Sequence, residues 1–583
     1  MDKFQVAEIL TSIATLLDLK GENPFKGRAY VNAARTIEQL DEPIQTLVAE
    51  SRLSEIPGIG EALNKKITEL VTTGRLAYFE ELKASTPPGL LLMLEIPGLG
   101  PKKIKALNTE LGIETIDELE SACREGRVAN LKGFGEKTQQ NILEGIERLR
   151  AYSSKHLLYD AIPVAESFLQ ALRSHEHVIR CETAGSLRRS KEIIGDIDLL
   201  ASSNKPAGVI EFFCSLHDVQ KVLARGDTKA SVLLLSGMQA DLRVVTDSEF
   251  ASALLYFTGS KEHNIVMRQR AIERGLRLNE YGLFRSDSET RDPALRLDTR
   301  TEHDLFQALG LHFIPPEMRE DMGEFAIAER RPVPRLVEWT DLKGSLHNHS
   351  TWSDGHQTLA QIADSMRELG LSYWGVTDHS RSSIQANGLQ PARLRQQIKE
   401  IAGVNRQLQA QGSSFRLLTG VEVDILKDGT LDLPDDLLAD LDVVIASIHS
   451  SFGGSEAENT SRLVAAAQNP YVNTLGHLTG RLLLSREGYA IDHSAVIDAC
   501  AATGTWIELN ASPNRLDMDW RFWPRARAKG VKCVINCDAH RLEQVGYLRL
   551  GASVARKAGL TKEDIVNTLP LDRLILKLRA KRP

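Results

Sequence analysis

GSLRRSKEIIGDIDLL, residues 185–200, joins two signals that belong to one kind of chemistry. Gly185 and Ser186 fall where a strand gives way to a helix. A glycine there lets the backbone approach a triphosphate, and Ser186 with the helix N-terminus can bond it. Arg189 adds a charge-assisted contact. Further on, Asp196 and Asp198 stand two apart in a strand, so both carboxylates face one side. Asp241, in the strand-like QADLRVV (239–245), joins them from a neighbouring strand. Three carboxylates aimed at one point repel and raise each other's pKa unless cations neutralise them. Two Mg²⁺ ions would do so, one activating a 3′-hydroxyl and the other steadying pyrophosphate. Asp-x-Asp alone fits an exposed strand or a turn equally well; the upstream Gly-Ser turn is what singles this one out.

Downstream of a stretch rich in Pro and charge (His312 to Trp339, expected as a linker), short apolar strands alternate with helices: SYWGVTDH, FRLLTGVEVDI, LDVVIASIHSS, YVNTLGH, TWIELN and VKCVINCDAH. Each closes on a polar residue, the pattern of a β/α barrel with its site at the C-terminal strand ends. HNHSTWSDG places His347 and His349 on one strand face and Asp354 on the loop after it. His379, Glu422, His449, His477, Asp538 and His540 each sit at a later strand end. A lone histidine is more often a core or surface residue than a ligand, but scatter of 15 histidines explains this clustering poorly. Imidazole and carboxylate together suit Mn²⁺, Fe²⁺ or Zn²⁺. Arg481 and Arg515 lie on the strand-end side, where they could bind phosphates or be ordinary surface arginines.

Upstream, the first 150 residues read as helices with Gly-rich turns. IPGIG (56–60), IPGLG (96–100) and KGFG (132–135) each precede an amphipathic run. Gly58, Gly60, Gly98, Gly100, Gly133 and Gly135 would let the chain turn at a helix N-terminus, exposing N–H groups to a phosphate backbone. Such contacts hold DNA without reading its sequence. One such turn is weak evidence; three together favour DNA binding.

A chain of 583 residues is too long for one core. The net charge of −7 does not advertise a nucleic-acid binder, and acidic residues slightly outnumber basic ones over 1–150. DNA contacts must therefore come from locally placed groups. The six cysteines are scattered, with only Cys533 near Cys537, which fits core thiols in a reducing compartment. With no signal-peptide pattern and no long apolar run, a cytoplasmic protein away from membranes is expected, and a monomer.

The motifs quoted above, continued in order through YFTGSKEHN (256–264) and LNEYGLF (278–284), resemble the signature of the family X DNA polymerases within the nucleotidyltransferase superfamily. The resemblance implies that Asp196, Asp198 and Asp241 ligate Mg²⁺. Gly185, Ser186 and Arg189 would bind the triphosphate; Tyr256, Phe257 and Gly259 would line the sugar. Asn264 would reach the minor-groove edge of the incoming base, and Arg268 that of the template region. Two family arginines are replaced, by Ala161 and by Gln239, which removes one phosphate contact and one contact that orients a carboxylate. The Gly-rich turns resemble the family's helix–hairpin–helix domains, where the lysine matching Lys66 forms a Schiff base with 5′-deoxyribose phosphate. Tyr30 matches a nearby position, while a second frequent lysine is Ala62 here. Lys65 and Lys66 also read as a solvated helix face.

Residues 344–583 resemble the PHP (polymerase and histidinol phosphatase) domain, which implies a distorted seven-stranded barrel holding up to three metals, Mn²⁺ or Zn²⁺. The whole chain resembles the bacterial family X polymerases with a C-terminal PHP domain. The expected architecture is multidomain: a helical lyase-like domain (1–85), a second helix–hairpin–helix subdomain (86–152), an α+β nucleotidyltransferase palm (153–260) and thumb (261–315), a linker (316–343) and the PHP barrel (344–583). The implied function is filling of gapped or nicked DNA from dNTPs in base-excision repair or end joining. The barrel would add a metal-dependent 3′→5′ exonuclease, with abasic-site cleavage as a further activity open to it. A barrel that is only a metal-stabilised scaffold, or a phosphatase for a small phosphomonoester, are the competing readings.

Overall fold

The computed structural model describes residues 1, 3–38, 40, 42–285 and 292–582. The chain divides into two compact units, Met1–Ser153 and Ser154–Pro583.

The first unit is helical around one apolar core. Its three Gly-rich turns lead into the helices Glu61–Thr73, Pro101–Leu111 and Glu136–Tyr152. Each helix buries residues at helical spacing: Leu63, Ile67 and Leu70 in the first, Ile104 and Leu107 in the second, Ile142 and Ile146 in the third. Gly58, Gly98 and Gly133 adopt φ of 90°, 84° and 88°, so all three turns share the left-handed step that only glycine takes without strain.

The second unit begins with a five-stranded sheet. Its strands are β1 (Arg180–Thr183), β2 (Asp196–Ser202), β3 (Val219–Arg225), β4 (Lys229–Leu234) and β5 (Gln239–Val245), in the order β1-β2-β5-β4-β3. Only the β2–β5 pair is parallel. Helices Phe250–Thr258 and Lys261–Ile272 follow, then a small hairpin, Arg277–Asn279 with Gly282–Phe284.

Seven parallel strands make the C-terminal barrel in sequential order: β6 (Gly344–Ser345), β7 (Tyr373–Val376), β8 (Arg416–Asp424), β9 (Val443–Ser447), β10 (Thr474–Leu475), β11 (Trp506–Asn510) and β12 (Cys533–Asn536). A parallel bridge between Asn348 and Ala539 brings the first and last strands together. β7, β9, β11 and β12 are buried along their whole length, as strands covered on both faces must be. His347 and His349 lie just beyond β6 rather than within it. Ladder pairing there has thinned to the single Asn348 bridge, and the extended backbone still turns both rings the same way.

The expected linker 316–343 is packed over its first part, while 329–335 is irregular and mostly exposed. Ile314, Phe325 and Ala328 belong to the apolar cluster that also holds Phe306 and Met267. Arg319 is fully buried and bonds Glu302 at 2.6 Å and the Ile314 carbonyl at 2.9 Å. Proline and charge disguise its first part because Arg319 and Glu324 are buried with partners, Glu302 and His263, rather than solvated, whereas Glu329, Arg330, Arg331 and Arg335 are exposed. One apolar core runs from palm residues such as Leu187, Ile194 and Phe213 into barrel residues such as Trp520, Val554 and Leu560.

Candidate metal centres

The parallel register of β2 and β5 sets Asp198 opposite Asp241 and Asp196 opposite Gln239. One oxygen from each of Asp196, Asp198 and Asp241 lies within 4.8 Å of the others, a span that fits divalent cations. Burial first, then Asp196 and Asp241, pushes the Asp198 carboxyl up to about 7. Asp196 is raised by burial and by Asp241. Gln239 Nε2 donates to Asp241 Oδ1 at 3.2 Å, so a neutral amide makes the orienting contact whose loss the missing arginine suggested.

Gly185 begins the short helix Gly185–Arg188 at φ 58°. A Cβ at this position would stand 1.9 Å from Asp198 Oδ2, so only glycine lets the turn lie against the carboxylate. Arg189, expected on the triphosphate, has its guanidinium on Glu320 at 3.0 Å and on the Thr258 carbonyl. It remains near enough to Asp198 to lower that carboxyl. Tyr256 and Phe257 meet edge to face, and Arg243 covers the Phe257 ring at 4.5 Å. Gly259 takes φ 71°. Asn264 donates to the Tyr256 carbonyl at 2.7 Å, and Arg268 lines an open groove with Tyr256, Asn279 and Tyr281.

In the barrel all nine candidate ligands converge. Glu422, at the end of β8, is the hub: His477, His449 and His347 bring Nε2 to 2.9, 3.1 and 3.2 Å of Oε1, and His379 brings Nδ1 to 2.8 Å of Oε2. Asp538 Oδ1 lies 3.1 Å from His349 and 3.7 Å from His347. Asp354 lies 3.5 to 3.8 Å from His540, His379 and His349. The donors form three overlapping sets, each compact enough for one cation: His349, Asp354, His379 and His540; His347, His349 and Glu422; His379, Glu422 and His449. Buried His347 Nε2, His349 Nδ1, His379 Nδ1 and Glu422 Oε2 lack a hydrogen-bond partner of good geometry. Ring nitrogens that crowd a carboxylate without bonding it are arranged for cations.

The rings respond in opposite directions. Against burial, Glu422 and Asp424 hold His449 up at about 10, while burial and then His540 and His379 press His349 down to about 3. Two carboxylates outside the expected set stand behind the candidate ligands. Glu508 on β11 takes His347 Nδ1 at 2.7 Å and is itself held by Asn536 at 2.9 Å. Asp424 takes His449 Nδ1 at 3.0 Å. Each aims the far ring nitrogen at the centre. Asp424 stands two residues after Glu422 on one strand face, a spacing that signals it; Glu508 in TWIELN reads as core. Asp538 adopts φ 51°, a left-handed step at the strand end, the kind of backbone strain that collects at sites.

Arg515 Nε lies 3.6 Å from Asp538. Arg481 is not open to a phosphate: Asp519 and the carbonyls of Arg515 and Leu516 hold its guanidinium. In the first unit, Lys66 donates to Tyr30 and lies 3.5 Å over the Tyr78 ring. Burial, and then Lys26, lower its amine. No Cβ at Gly58, Gly60, Gly98, Gly100, Gly133 or Gly135 would meet an atom within 4 Å, so all three turns are open. Among the described residues no helix is long and apolar enough to cross a membrane.

A nucleotidyltransferase palm fused to a seven-stranded barrel of histidines and carboxylates defines a nucleic-acid polymerase with an attached metallophosphoesterase. Family models match four segments: a helix–hairpin–helix domain over 1–76, a SAM-like helix–hairpin–helix tandem over 90–148, the DNA polymerase beta thumb over 253–320 and the PHP domain over 345–509. The chain is 39% identical over 98% of both chains to the DNA polymerase/3′-5′ exonuclease PolX of Bacillus subtilis (strain 168). It belongs to the PolX family. A probable phosphatase of Thermoanaerobacter sp. (strain X514) is 32% identical over 38% of this chain and 89% of its own length. DNA polymerase lambda of Rattus norvegicus is 24% identical over 54% of this chain and 56% of its own.

Proposed function

We propose that this chain fills short gaps in DNA from dNTPs at the Asp196–Asp198–Asp241 centre and trims 3′ ends at the barrel centre. The observation that carries the reading is the presence in one chain of two separate clusters of donors, each compact enough to hold cations. Mg²⁺ suits the all-oxygen palm set, and Mn²⁺ or Zn²⁺ the imidazole-rich barrel. Bound cations would supply charge neutralisation and Lewis acidity to the phosphorus chemistry at both. Gln239 holds Asp241 in the palm, and Glu508 and Asp424 hold His347 and His449 in the barrel. The open Gly-rich turns fit a DNA backbone, and gapped or nicked duplex in base-excision repair or end joining is the matching substrate.

A one-nucleotide-gapped duplex with a 5′-labelled primer, incubated with and without dNTPs, tests the assignment. Asp196→Asn with Asp198→Asn is expected to abolish extension and spare shortening; His347→Ala with His349→Ala should do the reverse. Loss of both activities in either folded variant would sink the two-centre reading. The resemblance of the barrel to a probable phosphatase supports a second reading, a phosphomonoesterase. Hydrolysis of a small phosphomonoester that DNA ends do not inhibit would favour it.

Lys66 is the candidate lyase nucleophile, since a lowered amine pKa is what attack on a sugar aldehyde needs. Borohydride should trap the protein on a 5′-deoxyribose phosphate end, and Lys66→Ala should lose the adduct. Equal trapping by the variant would dismiss the role.

A further inference from the structure

Two charged contacts tie the barrel to the palm, at Arg189 and at Glu192, within the chain between Gly185 and Asp196. At the first, Lys557 closes the helix Tyr547–Lys557, and its side chain is fully buried. Its ammonium lies 2.6 Å from Glu320 Oε1, 3.0 Å from the Arg189 carbonyl and 3.3 Å from the Glu317 carbonyl, one acceptor for each proton. The Trp520 ring lies 4.4 Å away. The same Glu320 oxygen accepts Arg189 Nε at 3.0 Å, and Lys191 stands 4.0 Å from the other. At the second contact, Arg481 lies 3.5 Å from Glu192, whose Oε1 is buried without a hydrogen-bond partner of good geometry.

A lysine buried in this way costs stability unless it is fully paired, and an apolar residue of the same size would often serve packing as well. What an apolar residue could not do is balance Glu320. Arg189 shares that carboxylate with Lys557. Without the lysine, Glu320 would draw on Arg189 more fully, and the turn would lose one positive charge. A nucleoside triphosphate would feel both changes.

We propose that Lys557, from the barrel, is a positioning residue of the nucleotidyl-transfer site: by sharing Glu320 with Arg189 it limits that carboxylate's claim on the guanidinium, so that the 185–189 turn keeps Arg189 and its charge available to a nucleoside triphosphate. The proposal rests on reading that turn as the triphosphate cradle.

The test measures gap filling against dNTP concentration, and 3′ shortening, for the full chain loaded with metal. Lys557→Met should raise the dNTP KM about tenfold with little change in kcat, as expected when a charge that binds ground and transition states equally is lost. Shortening should stay unchanged, and Lys557→Arg should restore the wild-type KM. Adding Glu320→Gln to Lys557→Met should bring KM back towards wild type, because no carboxylate then claims Arg189. Thermal unfolding checks each variant, with Lys557→Gln standing in if Lys557→Met does not fold. An unchanged KM in a folded Lys557 variant, or a double variant no better than Lys557→Met, overturns the proposal. A wild-type chain that incorporates no dNTP would instead overturn the polymerase reading beneath it.

Discussion

Asp198 shows how many constraints can meet on one side chain. It pairs with Asp241 across the sheet, lies against a turn that tolerates no Cβ, and is held near neutrality by burial and by two like charges. A carboxyl raised to about 7 is protonated below that pH, so a cation must displace a proton there to bind. The Mg²⁺ concentration for half-maximal extension should therefore climb by up to about tenfold per pH unit on acidification below about pH 7, and level off above it. Mg²⁺ titrations of extension at about pH 6 and pH 8 check this; equal midpoints would mean that the carboxyl is already ionised. Gln239 carries a related lesson. Read alone it marks a lost arginine, but its amide reaches Asp241, so the contact survives with its charge removed.

At the scale of the element, the residues that converge were legible as candidate ligands because strands have a period of two and barrels place chemistry at strand ends. Asp196 with Asp198, and the histidine or carboxylate that closes β8 or follows β7 and β9, carry that signature in a few residues. Asp424 shares it. Glu508 does not: it stands inside TWIELN, a strand apolar enough to read as core, and its partners His347 and Asn536 are remote in sequence. The first part of the expected linker 316–343, Pro316 to Ala328, hides its packing for a related reason. Proline and charge normally mark solvated chain, yet here Arg319 pairs with Glu302 inside a core, and Glu320 joins the palm to the barrel. Periodicity reports which face of an element is buried; it is silent on charges buried by partners elsewhere in the chain. The Gly-rich turns of the first unit were readable because a left-handed step before a helix demands a glycine whatever surrounds it.

In the whole molecule the divisions of sequence and of packing differ. The motifs separate palm, thumb and barrel, but palm and barrel draw on one apolar core, and only Met1–Ser153 stands apart as a compact unit. Calorimetry of the metal-loaded chain should show two unfolding transitions, with the barrel and palm melting together. A chelator should lower the one that carries Ser154–Pro583, because cations bound to the folded state alone stabilise it by mass action. A barrel that melts apart from the palm would contradict the shared core. That core also gives the two chemistries a common lifetime. Where palm and barrel unfold as one, loss of either chemistry is loss of both, and each folded molecule carries synthesis and trimming in a fixed ratio. The balance between them is then a matter of substrate and metal supply, not of separate turnover of the parts.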